Sequence, residues 1–217
     1  MRALALLLLG LALAGCGGDG GGENADVAAP PPNPECREVD QPESREPGTF
    51  EAPTTILDAD AEVTARVVTS CGEFTISLAP ESSPNAVSSF VALAKRDYFD
   101  GTYFHRIVPG FVTQGGDPTG TGAGGPGYTT VDTPARSTTY TRGVVAMAKT
   151  GAEAAGTAGS QFFVVTGDDI GLPPDYAVIG EVTQGLDTVA LIGTLGDPNT
   201  ELPTRPVVID DVAIAGA

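Results

Sequence analysis

Eight short segments rich in Val, Ile, Phe and Thr follow one another from residue 62 to the end of the chain. They lie at 62–69, 73–79, 103–108, 111–114, 143–148, 161–166, 177–182 and 206–214, each bounded by Gly, Pro or Asp. Segments of this length and composition read as β-strands. They do not alternate regularly with helical patterns, which argues against a doubly wound parallel sheet. A closed antiparallel barrel or a sandwich remains. Two segments break the rhythm. In "SSPNAVSSFVALAKRDYF" (82–99), a Ser precedes Pro84, as at a helix N-cap followed by Pro in the first turn. Val87, Phe90, Val91 and Ala94 then fall at i, i+3, i+4 and i+7 and form one apolar face. "LDTVALIG" (186–193) predicts a second, shorter helix. Two helices against eight strands suit the open ends of a barrel.

The first residues carry another kind of information. Met1-Arg2 is a short positive region, and "ALALLLLGLALA" (3–14) is an apolar run of signal-peptide length. It ends in "LAGC" (13–16), which is similar to the lipobox of bacterial lipoproteins, where the Cys thiol is acylated and the chain is cut before it. Cleavage after Ala12-Leu13-Ala14 as an ordinary signal peptide is the alternative. We expect a leader at 1–15 and a lipid on Cys16, attached by more than one acyl chain and so stably anchored. Residues 16–60 are rich in Gly, Pro and acids and are expected to be a disordered tether. The folded domain is expected over 61–217. If Cys16 is lipidated, Cys36 and Cys71 are left as an even pair, and export implies an oxidising compartment. A Cys36–Cys71 disulfide is the expectation, with Cys36 pinning the second half of the tether.

Charge excludes some partners. Without Arg2, the 11 Lys and Arg become 10 against 28 Asp and Glu. Nucleic-acid binding rests on neutralising phosphates with cations, so no nucleic acid is expected. No Cys/His cluster points to a metal site.

One cation stands out. "FHRIVPGFVTQGGD" (104–117) holds His105, the only histidine, and Arg106, among residues that otherwise look like strand and core. Residues of one parity share a face of a strand, which would put Arg106 with Phe104 and Val108. Gln114 follows on the next strand, and "GSQFF" (159–163) adds a second amide, Gln161, with aromatic neighbours. A structural arginine paired with an acid is the plainer reading. An apolar surface with one fixed cation and two amides would instead grip a neutral, partly apolar substrate. A hydrolase triad is not supported, since Ser160 in "AGSQF" is no nucleophile elbow. Gly120-x-Gly122-x-x-Gly125 matches a dinucleotide fingerprint by pattern, but Pro126-Gly127 follows and no helix opens there.

At these residues the sequence resembles the cyclophilins, which are peptidyl-prolyl cis–trans isomerases. "FHRIVPGFVTQGGDPTGTGAGGPG" looks like their signature. "GVVAMAKTG" (143–151), "AGSQFFVVT" (158–166) and "LPPDYAVIGEV" (172–182) match later blocks in the same order. The resemblance covers roughly 62–215. It implies a mostly β fold, a closed eight-stranded antiparallel barrel capped by two helices. It implies that Arg106 is the catalytic donor and that Gln114 holds the substrate carbonyl and orients the arginine. Phe111, Val112, Phe163 and Leu172 match positions lining the proline pocket, and Tyr176 stands where many members have a pocket histidine. Ala148, the backbone of Lys149, and Gln161 match the groove for residues preceding proline. His105 matches a histidine beside the arginine. The sequence departs from the pattern at Gly171, where many members have Trp, at Val112, where Met is commoner, and in a longer loop at 151–159.

Together these readings predict a lipid-anchored, exported prolyl isomerase at the outer face of the bacterial cytoplasmic membrane. It would act as a monomer on X–Pro bonds of unfolded or newly exported polypeptides, with no cofactor. A proline-binding module with weak turnover and a surface interaction protein are the competing functions.

Overall fold

The structure is a computed structural model and describes residues 36–216. The leader, Cys16 and the first half of the expected tether lie outside the described residues. The strands are β1 (Thr64–Thr69), β2 (Gly72–Leu78), β3 (Arg106–Val108), β4 (Val112–Gly115), β5 (Thr130–Val131), β6 (Val144–Met147), β7 (Thr157–Ala158), β8 (Phe162–Val165), β9 (Val178–Gln184) and β10 (Ile209–Ala215). Each of the eight expected segments supplies one strand of a single sheet, ordered β10-β1-β2-β9-β6-β8-β4-β3. Neighbouring strands within it are antiparallel. The two-residue strands β5 and β7 form a separate pair. They are too short to leave an alternation in the sequence.

The expected closed barrel is corrected to an open, curled half-barrel. Its edges are β3 and β10, and no ladder joins them. The cause is local. Strand β3 has only three residues, and the irregular chain before it meets the start of β10 at one isolated bridge, Tyr103 with Val208. Around that bridge, Phe104 N–H donates to the Val207 carbonyl (3.0 Å) and Gly101 N–H to that of Ile209 (2.8 Å). The seam is therefore stitched by single bonds rather than zipped.

The helices are α1 (Pro84–Ala94) and α2 (Leu186–Gly193). Val87, Phe90, Val91 and Ala94 of α1 are all buried, as the period requires. Ser83 is the N-cap residue but makes no side-chain cap. Asp132 does that work from the far side of β5. Its carboxylate accepts from the Ala86 N–H at 2.7 Å and from Asn85 Nδ2 at 2.8 Å. An acceptor there satisfies a donor that the first turn leaves free and complements the helix dipole.

Alternation along each strand divides the apolar residues into two clusters. The inner one fills the concave side of the sheet. Phe90, Phe99 and Phe162 meet there with ring centroids 4.9–5.9 Å apart. Phe104 joins it and is fully buried. It does not share a face with Arg106, because β3 begins only at Arg106 and strand alternation does not extend back to residue 104. The outer cluster gathers Val112, Tyr140, Ala146, Phe163 and Val165, with Phe111, Leu172 and Tyr176 at its margin.

Residues 36–57, expected within the tether, have no helix or strand but lie along the domain as a strap. Cys36 and Cys71 are joined (S–S 2.05 Å), closing a separation of 35 residues. Arg37 pairs with Asp210 (2.8 Å) and its N–H donates to the Ser70 carbonyl. Phe50 sits edge-on to Tyr98, with the Arg96 guanidinium 5.5 Å from its ring centre. Leu57 N–H donates to Ser88 Oγ on α1, which explains why the polar side of that helix is buried too.

Candidate active site

Register places the candidate residues in one row. Arg106 on β3 is opposite Gln114 on β4, Gln114 is opposite Phe163 on β8, and Phe163 is opposite Ala146 on β6. Directly opposed residues of a sheet share a face, so a cation, an amide and an aromatic ring stand side by side on the outer surface. The intervening residues Ile107, Thr113, Val164 and Val145 are buried on the inner face. A row on a rigid sheet is held more accurately than one on loops.

The polar members are linked in a chain. Arg106 Nη1 donates to Gln114 Oε1 over a long 3.5 Å, and Gln114 Nε2 donates to Gln161 Oε1 at 3.0 Å. Gln161 Nε2 then donates to the carbonyls of Gly122 (3.0 Å) and Gly124 (2.9 Å). On its other side, Arg106 Nε donates to Glu201 at 2.7 Å. A guanidinium has five N–H donors. Two are engaged here, and the rest of the fork is free to meet a substrate. The arginine is about one-third exposed, so it is reachable from solvent.

Three side chains that hold this site were not singled out in the sequence. Glu201 is one. It sits in "DPNTE" at φ +60°, a conformation uncommon for a residue with a Cβ. Its carbonyl accepts from Ile107 N–H (2.9 Å) and its own N–H donates to the Asp197 carbonyl (2.8 Å). No local pattern announces it. Asp117 is the second, and it is buried. Its carboxylate accepts from Thr119 N–H and Oγ1, Gly122 N–H and Gly124 N–H, at 2.6–3.2 Å. Burial alone would raise its pKa, but these hydrogen bonds outweigh burial and hold it below the usual carboxylate range. The Gly-rich loop that failed as a nucleotide site is thus wound around a carboxylate, and its outward carbonyls hold Gln161. The Asp-x-Thr-Gly order was a readable turn signal.

Tyr140 is the third, fully buried in the outer cluster. Its hydroxyl donates to the Tyr176 carbonyl (2.7 Å) and accepts from the Tyr176 N–H (2.9 Å). That clamp sets the Tyr176 ring edge-on to Phe163, with centroids 5.4 Å apart. Phe111, Val112, Phe163, Leu172 and Tyr176 all belong to this one apolar cluster. Gly171 lies at φ +61° with open space around it. A tryptophan there would be strained, which gives the departure at this position a backbone cause.

Beside the row opens a cavity of about 620 Å³, lined by Gln114, Ala148, Lys149 and Gln161 among others. Ala148 is fixed by its N–H to the Gln161 carbonyl (2.8 Å). The Lys149 side chain is turned inward, 3% exposed, to Asp175 (2.8 Å), with its Nζ 5.4 Å from the Tyr176 ring centre. Its Nζ also donates to the carbonyls of Thr150 (3.3 Å) and Glu153 (3.2 Å). His105 is buried behind the row, and burial lowers its pKa, so it is neutral near pH 7. Among the described residues no cluster of His, Cys, Asp and Glu could hold a metal ion. No helix among them is long and apolar enough to cross a membrane.

This arrangement offers hydrogen-bond donors over an apolar shelf. The comparisons agree with it. The model of the cyclophilin type peptidyl-prolyl cis-trans isomerase family matches residues 64–214. Peptidyl-prolyl cis-trans isomerase B of Bacillus subtilis is 45% identical over 111 residues, covering 51% of this chain and 76% of that protein. The probable peptidyl-prolyl cis-trans isomerase A of Mycobacterium leprae is 36% identical over 170 residues, 70% of this chain and 92% of the relative. A crystal structure of a Cryptosporidium parvum cyclophilin type isomerase superposes with a TM-score of 0.66 at 31% identity, covering 72% of this chain and 99% of its own. A second structure of that protein, obtained in the presence of the dipeptide Ala-Pro, gives 0.65 at 30% identity. The chain belongs to the cyclophilin-type peptidyl-prolyl cis–trans isomerase family.

Proposed function

We propose that this isomerase turns X–Pro bonds at Arg106, in polypeptides met outside the cytoplasmic membrane, while held there by a lipid on Cys16. The reaction breaks no bond. Rotation about X–Pro is opposed by amide resonance, with a barrier of roughly 18–20 kcal/mol. Twisting localises the lone pair on the proline nitrogen, so a donor aimed at that nitrogen binds the twisted state better than the planar one. Only such differential binding accelerates the step. The observation that carries this reading is the row Arg106–Gln114–Phe163, with most of the guanidinium fork uncommitted. Phe111, Val112, Phe163, Leu172 and Tyr176 receive the proline ring. The second N–H of Gln114 Nε2 reaches the substrate carbonyl, and residues before proline run toward Ala148 and Gln161. A related protein's structure with Ala-Pro supports proline-containing substrates in general.

Export and anchoring are supported by the apolar leader ending in Leu-Ala-Gly-Cys16 and by the Cys36–Cys71 pairing, which suits an oxidising compartment. The chain works as a monomer. The test is labelling in a bacterial host with a radioactive fatty acid. Wild type is expected to carry label and sediment with membranes, and Cys16→Ala to lose both. Unlabelled wild type would overturn the anchor and leave the isomerase reading standing.

A further inference from the structure

The cavity beside the catalytic row is not built from the cyclophilin domain alone. Pro47, in the strap before the region matched by the family model, lines it together with Gln114, Ala148, Gln161 and the carbonyl-rich turn at 122–126. The strap is fastened at that point rather than draped. Arg45 N–H donates to the Pro118 carbonyl (2.9 Å), Gly48 N–H to that of Gly125 (2.8 Å) and Phe50 N–H to that of Pro126 (2.9 Å). Residues 48 and 50 are therefore tied by backbone bonds along the Gly-rich loop, without forming a strand. Arg45 also caps the Tyr98 carbonyl (2.8 Å), and Phe50 packs on Tyr98. The approach is close. A Cβ on Gly48 would lie 2.8 Å from the Phe50 ring and 3.0 Å from Pro126 Cα, and one on Gly127 would lie 2.6 Å from the Gly48 carbonyl oxygen.

This loop is the same one whose Gly122 and Gly124 carbonyls hold Gln161. The strap thus supports the groove twice, as a wall through Pro47 and as a brace on the loop behind Gln161. Pro47 is itself exposed and lines the cavity, so its ring is open to a ligand.

We propose that residues 45–50 form an added subsite for the polypeptide segment upstream of the substrate proline, with the Pro47 ring as its apolar contact. It rests on the reading that the groove along Ala148 and Gln161 takes residues preceding proline. The substrate class that follows is an extended chain with an apolar side chain two or three residues before proline. A minimal X–Pro unit would not reach the strap.

The test compares the full mature protein with Pro47→Ala and with Gly48→Val, which wedges the strap from the loop. Each is assayed with two peptides, a blocked Ala-Pro unit and the same unit extended upstream by three residues including a Phe. The readout is the ratio of kcat/KM for the long peptide to that for the short one. Loss of one ring contact is expected to lower this ratio roughly fivefold in either variant, through KM. A ratio equal to wild type in both variants overturns the subsite. So does an equal loss on both peptides accompanied by a lower Tm, which marks the strap as structural only. Titration calorimetry with the same peptides gives the ratio without turnover. A failure of the isomerase reading and a failure of the subsite are then separate results.

Discussion

Replacing Glu201 by Gly should separate stability from activity, because the residue serves one at the expense of the other. Its backbone sits at φ +60°, where a Cβ is disfavoured and glycine is not. Removing the Cβ relieves that strain and is expected to add about 0.4–1 kcal/mol. The same change deletes the Arg106 ion pair. The two side chains are 35% and 44% exposed, so the pair contributes only roughly 0.2–1 kcal/mol to folding. The two effects nearly cancel, and Tm should stay within about 3 °C of wild type. Catalysis has no such cancellation. Without the 2.7 Å anchor on Nε, the fork keeps only the long 3.5 Å contact with Gln114 and loses its aim. The loss is expected in kcat rather than KM, by roughly three- to tenfold, since the anchored geometry matters most in the twisted state. Glu201→Gln retains an acceptor and should lose less, about two- to threefold. Isomerisation rates from NMR exchange on a proline peptide, with Tm by calorimetry, measure both. Wild-type kcat in Glu201→Gly would refute the positioning argument. A rise in kcat would show that the carboxylate restrains the arginine instead of aiming it.

Other consequences follow from the same contacts. Tyr140→Phe leaves the Tyr176 N–H and carbonyl without their shared partner; it should cost about 2 kcal/mol, roughly 4–8 °C in Tm, and raise KM as the pocket wall loosens. Stability should decline as pH falls below about 6.5, because burial lowers the His105 pKa and the unfolded chain takes up that proton first; His105→Gln should flatten the Tm profile there. The contribution of Asp117 is present above its unfolded value of about 3.9 and disappears as pH drops through its depressed folded value, so Asp117→Asn should remove the steepest acid limb of the same profile.

The strands and helices were legible because each carries its own period. Arg106, Gln114 and Phe163 could be named from motif order, and strand pairing then sets them in one row. What escaped depends on contacts distant in sequence. Glu201 reaches Arg106 across 95 residues from a turn with no regular pattern. Tyr140 lies outside any strand, and its clamp on Tyr176 spans 36 residues. The strap escaped for a different reason. Its Gly, Pro and acid content predicts a disordered tether, whereas residues 36–57 lie against the domain. It docks by lending Phe50 and backbone donors to a surface already folded. The barrel was expected closed because the family resemblance implied it, while closure depends on edge lengths that neither strand count nor motif order supplies.

The proposed catalysis rests on one donor, Arg106. Its most direct test is the rate of cis–trans exchange of a proline peptide with Arg106→Ala, read beside peptide binding and Tm. Removing a placed donor for charge that develops only in the transition state is expected to cost roughly 100- to 1000-fold in kcat/KM. Folding should persist, since the side chain is partly exposed and outside both apolar clusters. Exchange at the wild-type rate in a folded, peptide-binding Arg106→Ala protein would contradict the account.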